Sequence, residues 1–124
     1  MKFLITLFIL FYLSPVFAER ISMEVIATAY NSVASQTTAK KPALTAWGDT
    51  LKPGINAIAV SRDLIKMGLT HHVKVQIKGL AGDYLVLDKM NKRWSKKIDI
   101  YMGLDIEAAK KWGKRKVMIS WNKN

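Results

Sequence analysis

The chain has 124 residues, no cysteine and a formal net charge of +11, from 20 basic and 9 acidic side chains. The lack of cysteine excludes disulfides, zinc–thiolate sites and cysteine nucleophiles, so packing alone must hold the fold. The positive charge predicts attraction to polyanions. For an exported protein these are cell-wall glycan, acidic polysaccharide and anionic lipid, and we expect no nucleic acid partner.

The first 18 residues have the pattern of a secretory signal peptide. Lys2 supplies a positive start, residues 3–13 form an apolar run, and Ala18 ends a small-x-small cleavage signature. The run is too short to span a bilayer as a helix. The alternative is an uncleaved N-terminal anchor. We expect an exported, periplasmic or extracellular protein, with one domain over residues 19–124, no membrane span after cleavage and a monomeric state.

Short stretches of alternating apolar and β-branched residues predict strands along the rest of the chain. The predicted strands are residues 23–30, 56–61, 73–77, 84–88, 97–101 and 115–121. A helical turn is predicted at 62–67 and a short helix at 105–112, with Asp105 at its start. Residues 31–41 are predicted to form a loop. The pattern indicates an all-β fold with two short helices, a small six-stranded barrel.

Two aspartates lie in or after apolar strands. Asp88 follows residues 85–87, and Asp99 stands between Ile98 and Ile100. If the ends of these two strands meet, both carboxylates share one cleft. Burial between apolar neighbours would raise the pKa of Asp99, because burial disfavours the ionised form. The alternatives are that Asp88 bonds backbone N–H groups in a turn and that Asp99 is purely structural.

Six short motifs occur in order along the chain: Thr28-Ala29-Tyr30, Thr45-Ala46-Trp47-Gly48, Ala59-Val60-Ser61-Arg62, Val86-Leu87-Asp88, Ile98-Asp99-Ile100-Tyr101, and Glu107-Ala108 to Gly113. Together they resemble the three-aspartate domain, which is found at the end of membrane-bound lytic transglycosylase A and in small autolysin-like wall proteins. The resemblance implies a double-psi β-barrel. It also implies peptidoglycan as the substrate or ligand.

The chain departs from the family pattern at two places. Ser61 stands where the family has its first aspartate, with Asp63 two residues on. Lys89-Met90-Asn91 replaces a glycine-rich turn after the second aspartate. Such a turn lets the backbone approach a ligand closely, so its replacement is expected to alter substrate geometry.

The resemblance implies cleavage of the glycan strand, with Asp99 as general acid/base and Asp88 as the neighbour that raises its pKa or orients it. In lytic transglycosylases the 6-hydroxyl of the sugar attacks and gives a 1,6-anhydro product, so no second nucleophile is required. The predicted substrate-binding residues are Tyr30, Thr45, Trp47, Ser61, Trp94 and Tyr101. The alternative is a non-catalytic peptidoglycan- or polysaccharide-binding module.

Several side chains have structural explanations as well. Trp47 and Trp94 can stack on sugar rings or cover the barrel, and Asp63 is expected to be a surface or capping acid. The adjacent pair His71 and His72 has no evident further ligand in the sequence, so we expect neither a metal nor a cofactor.

Overall fold

In the described part of the chain, residues 6, 19–33 and 43–123 of a computed structural model, six strands close into a barrel. The strands are β1 (Glu19–Tyr30), β2 (Ala57–Val60), β3 (Lys74–Ile77), β4 (Tyr84–Lys89), β5 (Lys97–Tyr101) and β6 (Arg115–Lys123). Every predicted strand is confirmed, although β1 begins four residues earlier than predicted and β6 ends two residues later. The predicted signal peptide, apart from residue 6, and most of the predicted loop 31–41 lie outside the described residues.

Two short helices lie on the connections, as predicted: α1 (Arg62–Lys66) between β2 and β3, and α2 (Ile106–Trp112) between β5 and β6. Asp105 is the N-cap of α2, and its carboxylate accepts a hydrogen bond from the Ala108 backbone N–H at 2.9 Å. Within residues 19–33 and 43–123, neither helix is long and apolar enough to cross a membrane.

The strand order around the barrel is β1-β5-β2-β4-β3-β6, and β6 closes on β1. Two pairs, β1–β5 and β2–β4, are parallel, and the other four are antiparallel. Exchanging β1, β2 and β3 for β4, β5 and β6 leaves this pairing pattern unchanged. Each half also carries its helix between its second and third strand. The barrel therefore consists of two halves with the same pairing pattern, although the sequence contains no evident repeat.

Aliphatic side chains from all six strands fill the barrel interior, as the two-residue alternation predicts. In β6, Val117, Ile119 and Trp121 are buried while the residues between them are more exposed. Trp121 is fully buried, and its indole N–H donates to the Met67 carbonyl at 3.2 Å. A buried N–H group without a partner is costly, so this bond offsets the desolvation of the indole of the largest core side chain at the end of α1.

A second, smaller apolar cluster lies on the outer face of the barrel. Residues 43–55 cover this face, and Leu51 from that segment is buried against Ala57, Leu87 and Tyr101. These three strand residues alternate with core residues and so point outward. The segment is held in shape by a bridge between Leu44 and Thr50. The outer face of β5, β2 and β4 is thus partly covered, and this cover borders the candidate site.

Candidate functional site

Four residues form one row across adjacent strands on the outer face of the barrel. Thr28 of β1 pairs with Asp99 of β5, Asp99 pairs with Ala59 of β2, and Ala59 pairs with Asp88 of β4. Paired residues on neighbouring strands point to the same side of the sheet. The two aspartates that the sequence predicted to share a cleft therefore lie on one face, with β2 between their strands.

A β-bulge puts Asp88 into this row. The register between β2 and β4 shifts after Ile58, so that Ile58 pairs with Val86 whereas Ala59 pairs with Asp88. Leu87 is the extra residue: in a regular register Leu87 would pair with Ala59, and Asp88 would pair with Val60 on the inner face. The two acids are then two strand spacings apart, about 10 Å between Cα atoms. Only the methyl group of Ala59 stands between them, and Ala59 is itself buried. We call this row the acid groove: Thr28, Asp99, Ala59 and Asp88.

Asp99 is the least solvated acid of this groove. Burial raises the pKa of its carboxyl to about 6, and the nearby charge of Asp88 acts in the same direction. The Thr28 hydroxyl, which donates to Asp99 Oδ1 at 3.0 Å, and the positive charge of Lys97 only partly oppose this rise. A carboxyl with a pKa near 6 still holds a proton in a useful fraction of molecules near neutral pH, which general acid catalysis requires.

Asp88 has a different environment. Its Oδ1 accepts two backbone hydrogen bonds, from Ala46 N–H at 2.9 Å and from Lys89 N–H at 2.8 Å. These bonds fix the carboxylate and tie the 43–55 segment to the end of β4. This is the contact that a structural role for Asp88 requires, and it also holds the negative charge at a defined place beside Asp99.

Two tyrosines form the wall of the groove next to the acids. Tyr30 and Tyr101 are paired across β1 and β5, with ring centroids 5.5 Å apart. The Tyr101 hydroxyl hydrogen-bonds Ser32 Oγ at 2.7 Å. The Tyr30 hydroxyl has no hydrogen-bond partner among the described residues. Burial, with the charges of Asp88 and Asp99, raises the pKa of Tyr30 far above its ordinary value, so this buried hydroxyl keeps its proton.

The predicted site residues Thr45 and Trp47 shape the covering segment. The Thr45 side chain is buried and accepts a hydrogen bond from the Asp49 N–H at 3.0 Å. The Trp47 ring lies 5.0 Å from the ring of His71, and it packs against the core. The contacts of both residues therefore hold the turn of residues 45–49 in place beside Asp88.

Ser61 and Trp94 lie on the other side of Asp99, next to Lys97. Ser61 is fully buried, and its Oγ accepts the Lys97 N–H at 3.0 Å. The Lys97 ammonium lies 3.6 Å from the ring centre of Trp94, and Arg93 lies 4.8 Å from it. Trp94 is exposed, so the basic connector presents an aromatic ring flanked by two cations.

Asp63 anchors the same connector, a role that the sequence did not indicate. Its Oδ2 accepts the Lys96 N–H at 2.9 Å and the Ser95 hydroxyl at 3.4 Å. Lys96 has a φ of 47°, in the left-handed region, and the bond from Asp63 holds this turn at the start of β5.

Ser61→Ala is expected to lower the free energy of unfolding by about 1–3 kcal/mol, because it leaves the partly buried Lys97 N–H without its acceptor. Chemical denaturation measures this change. Ser22→Ala is the matched control: Ser22 bonds Ser120 on the exposed outer surface, and its loss is expected to change stability by about 0.5 kcal/mol or less. Equal effects of the two substitutions would contradict the assignment of Ser61 to this bond.

A second polar cluster lies at the other end of the covering turn. The Asp49 carboxylate lies 2.5 Å from His71 Nε2 and 3.6 Å from His72 Nε2. Desolvation favours the neutral acid, but the hydrogen bonds and charges of the two imidazoles outweigh it and lower the pKa of Asp49. The sequence did not predict this cluster, because 22 residues separate Asp49 from His71 and no motif joins them.

No protein-family model matches this chain, and a search of curated proteins found no match.

Proposed function

We propose that this protein is an exported, wall-associated barrel that cleaves the glycan strand of peptidoglycan, in the manner of a lytic transglycosylase, with Asp99 as general acid/base. The observation that carries the proposal is the position of Asp99: a carboxyl with a pKa of about 6 on the outer face of the barrel, between Thr28, whose hydroxyl donates to it, and Ala59. The resemblance of the Ile98-Asp99-Ile100-Tyr101 motif to the three-aspartate domain supports the same role.

We further propose that the barrel has double-psi topology. The support is the repeated pairing pattern, with the parallel pairs β1–β5 and β2–β4 at equivalent places in the two halves. The exchange of halves maps β2 and β5 onto each other, and these two strands run antiparallel through the Ala59–Asp99 pair. Under the exchange of halves, Thr28 corresponds to Asp88, so that Asp99 has a hydroxyl on one side and a carboxylate on the other.

In the proposed reaction the Asp99 carboxyl donates its proton to the glycosidic oxygen, and the bond from that oxygen to the anomeric carbon breaks. The resulting carboxylate then accepts the proton of the sugar 6-hydroxyl. As that proton leaves, the 6-oxygen of the sugar attacks the anomeric carbon. The product is a 1,6-anhydro sugar, and Asp99 regains its proton for the next cycle. The fixed negative charge of Asp88 stabilises the developing positive charge on the sugar ring.

The neighbouring side chains supply binding contacts in this proposal. The Tyr30 hydroxyl is buried and has no partner among the described residues, and in this proposal its ring turns to donate to a sugar oxygen when the strand binds. The exposed ring of Trp94 stacks on a sugar further along the strand. Lys97 and Arg93 beside it bind the carboxylates of the stem peptides, in keeping with the net charge of +11.

The second candidate is a wall-binding module without activity, and the contacts of Asp88 favour it. One oxygen of this carboxylate is already engaged by two backbone N–H groups, which is what a scaffold residue requires. In that case Asp99 binds sugar hydroxyls, and the basic surface supplies affinity for the anionic wall.

The test is incubation of the protein, expressed from its full 124-residue sequence, with purified peptidoglycan, followed by mass spectrometry of the soluble products. The proposal expects 1,6-anhydro muropeptides from the wild type. If no soluble muropeptides are released and the protein still pellets with the wall at high salt, the catalytic proposal is overturned in favour of the binding module. Pelleting that is lost at high salt would instead indicate non-specific charge binding.

A further inference from the structure

Two adjacent histidines and one aspartate converge outside the acid groove. Ligand atoms of Asp49, His71 and His72 all lie within 4.8 Å of one another. Both imidazoles turn their Nε2 atoms toward the same carboxylate, one to each oxygen. Two imidazole nitrogens and one carboxylate form a donor set that divalent transition metals prefer.

The fold holds the two histidines in this arrangement. They lie on the turn between α1 and β3, where His72 has a φ of 73°, a left-handed conformation that is uncommon for a side chain of this size. The His72 N–H donates to the Val86 carbonyl of β4 at 2.8 Å, which fixes the turn to the barrel. The imidazole rings stack at 3.8 Å between centroids, and Trp47 packs on His71 from the covering segment.

Asp49 is fixed independently of the histidines. Its N–H donates to Thr45 Oγ1 at 3.0 Å, and its carbonyl accepts the Thr45 N–H at 2.8 Å. The third donor therefore comes from a different part of the chain, in a turn with its own hydrogen bonds. Donors that are placed before binding lose little conformational freedom when an ion binds, which favours affinity.

A pocket of about 520 Å³ adjoins the cluster. His71 and His72 lie on its wall together with Lys74, Gln76 and Asp83. Three protein donors leave coordination positions for water or a small ligand, as in sites where a metal keeps an open position. The pocket gives such a ligand room, and it is distinct from the groove between Asp88 and Asp99.

We propose that Asp49, His71 and His72 form a binding site for a divalent transition-metal ion of the zinc, nickel or copper type. The ion takes the place of the contact between Asp49 Oδ2 and His71 Nε2 and joins the covering segment to the turn before β3. The same turn of residues 45–49 donates the Ala46 N–H to Asp88, so the ion holds the cover at the edge of the acid groove. Metal binding is therefore expected to stabilise the fold and the groove together.

The test is calorimetric titration of tag-free protein, expressed from the full sequence, with ZnCl₂, NiCl₂, CuCl₂ and MgCl₂. The expected result is one transition-metal ion bound per chain, no binding of Mg²⁺, which prefers oxygen ligands, and a rise in the Tm with Zn²⁺. Asp49→Asn and His71→Gln are each expected to weaken Zn²⁺ binding by roughly 100-fold or more, since even outer partners of metal ligands change affinity by about 10–100-fold.

The matched control is Glu107→Gln, which removes an exposed acid on α2 and is expected to bind Zn²⁺ like the wild type. Circular dichroism in EDTA verifies that each variant is folded. Wild-type Zn²⁺ affinity in Asp49→Asn would overturn the proposal, because the pair of histidines alone would then bind the ion. Asp99→Asn is expected to keep full Zn²⁺ affinity, so a failure of the metal site is distinguishable from a failure of the glycan-cleaving site.

Discussion

Asp99→Asn is expected to lower the rate of glycan cleavage by about 10²–10⁴-fold, the range that general acid catalysis contributes. The amide has the size of the carboxyl and keeps an oxygen that accepts the Thr28 hydroxyl, so the groove retains its shape. What it lacks is the proton for the leaving oxygen. The measurement is the initial rate of release of 1,6-anhydro muropeptides at several pH values.

The control is Glu107→Gln, which removes one exposed acid from α2 and is expected to cleave at the wild-type rate. Thr28→Val gives a graded comparison, because the Thr28 hydroxyl lowers the pKa of Asp99. Its loss is expected to raise the pKa of Asp99 and so to move the alkaline limb of the pH–rate profile to higher pH. A wild-type rate in Asp99→Asn at every pH would contradict the assignment of Asp99 as the acid.

The second large effect concerns stability and pH. The pKa of Asp99 is about 6 in the folded chain, whereas in an unfolded chain it is near the ordinary value of 3.8. Between these values the folded state binds more protons than the unfolded state, so stability falls as pH rises. The full difference corresponds to about 3 kcal/mol, at 1.36 kcal/mol for each pKa unit.

Asp99→Asn removes this dependence because the amide does not titrate. Below pH 4 the variant and the wild type are expected to have equal free energies of unfolding. Above pH 6 the variant is expected to be more stable by about 2–3 kcal/mol. Urea denaturation at intervals from pH 4 to pH 8 measures the difference in the free energy of unfolding between the variant and the wild type. The other carboxyl groups titrate in both proteins, so their contributions cancel in this difference.

Glu107→Gln again serves as the reference, because its difference from the wild type is expected to be small over the whole range. A flat difference for Asp99→Asn as well would mean that the Asp99 carboxyl is as well solvated in the fold as in the unfolded chain. The stability and cleavage experiments use the same variant but are independent, since the first requires no substrate.

The local features of the fold could be predicted from the sequence because they depend on local patterns. The two-residue alternation in Val117, Ile119 and Trp121 is sufficient to identify β6 and its buried face. Asp105 before the apolar positions of α2 is sufficient to identify the start of that helix. The ends of β1 and β6 were missed because Glu19 and Lys123 are polar, and only their pairing with each other extends both strands.

The arrangement of the acids could be predicted only in part. The strands that carry Asp88 and Asp99 could be identified from the sequence, but not that β2 separates them, since strand order is set by long-range closure of the barrel. Ala59 lies between the two aspartates only because β2 lies between β5 and β4, so the relevance of its small side chain could not be predicted. The bulge at Leu87, which turns Asp88 into the row, leaves no recognisable mark in the sequence.

Ser61 and Asp63 illustrate how contacts decide between roles that the sequence leaves open. Ser61 stands at the place of an expected aspartate, yet it is fully buried and bonds the Lys97 backbone. An ionised carboxyl there would be costly to bury. Asp63 instead holds the turn at Lys96. Neither contact follows from spacing, because each joins residues more than 30 positions apart.

The most direct test of the account is a ¹³C NMR titration of the Asp99 carboxyl in the full-length wild-type protein, with Asp99→Asn used to assign the resonance. If Asp99 is the general acid, we expect a pKa of about 6, above the ordinary aspartate value, because the carboxyl is buried and the charge of Asp88 lies nearby. A pKa at or below the ordinary 3.8 would contradict it, since Asp99 would then hold no proton to donate near neutral pH.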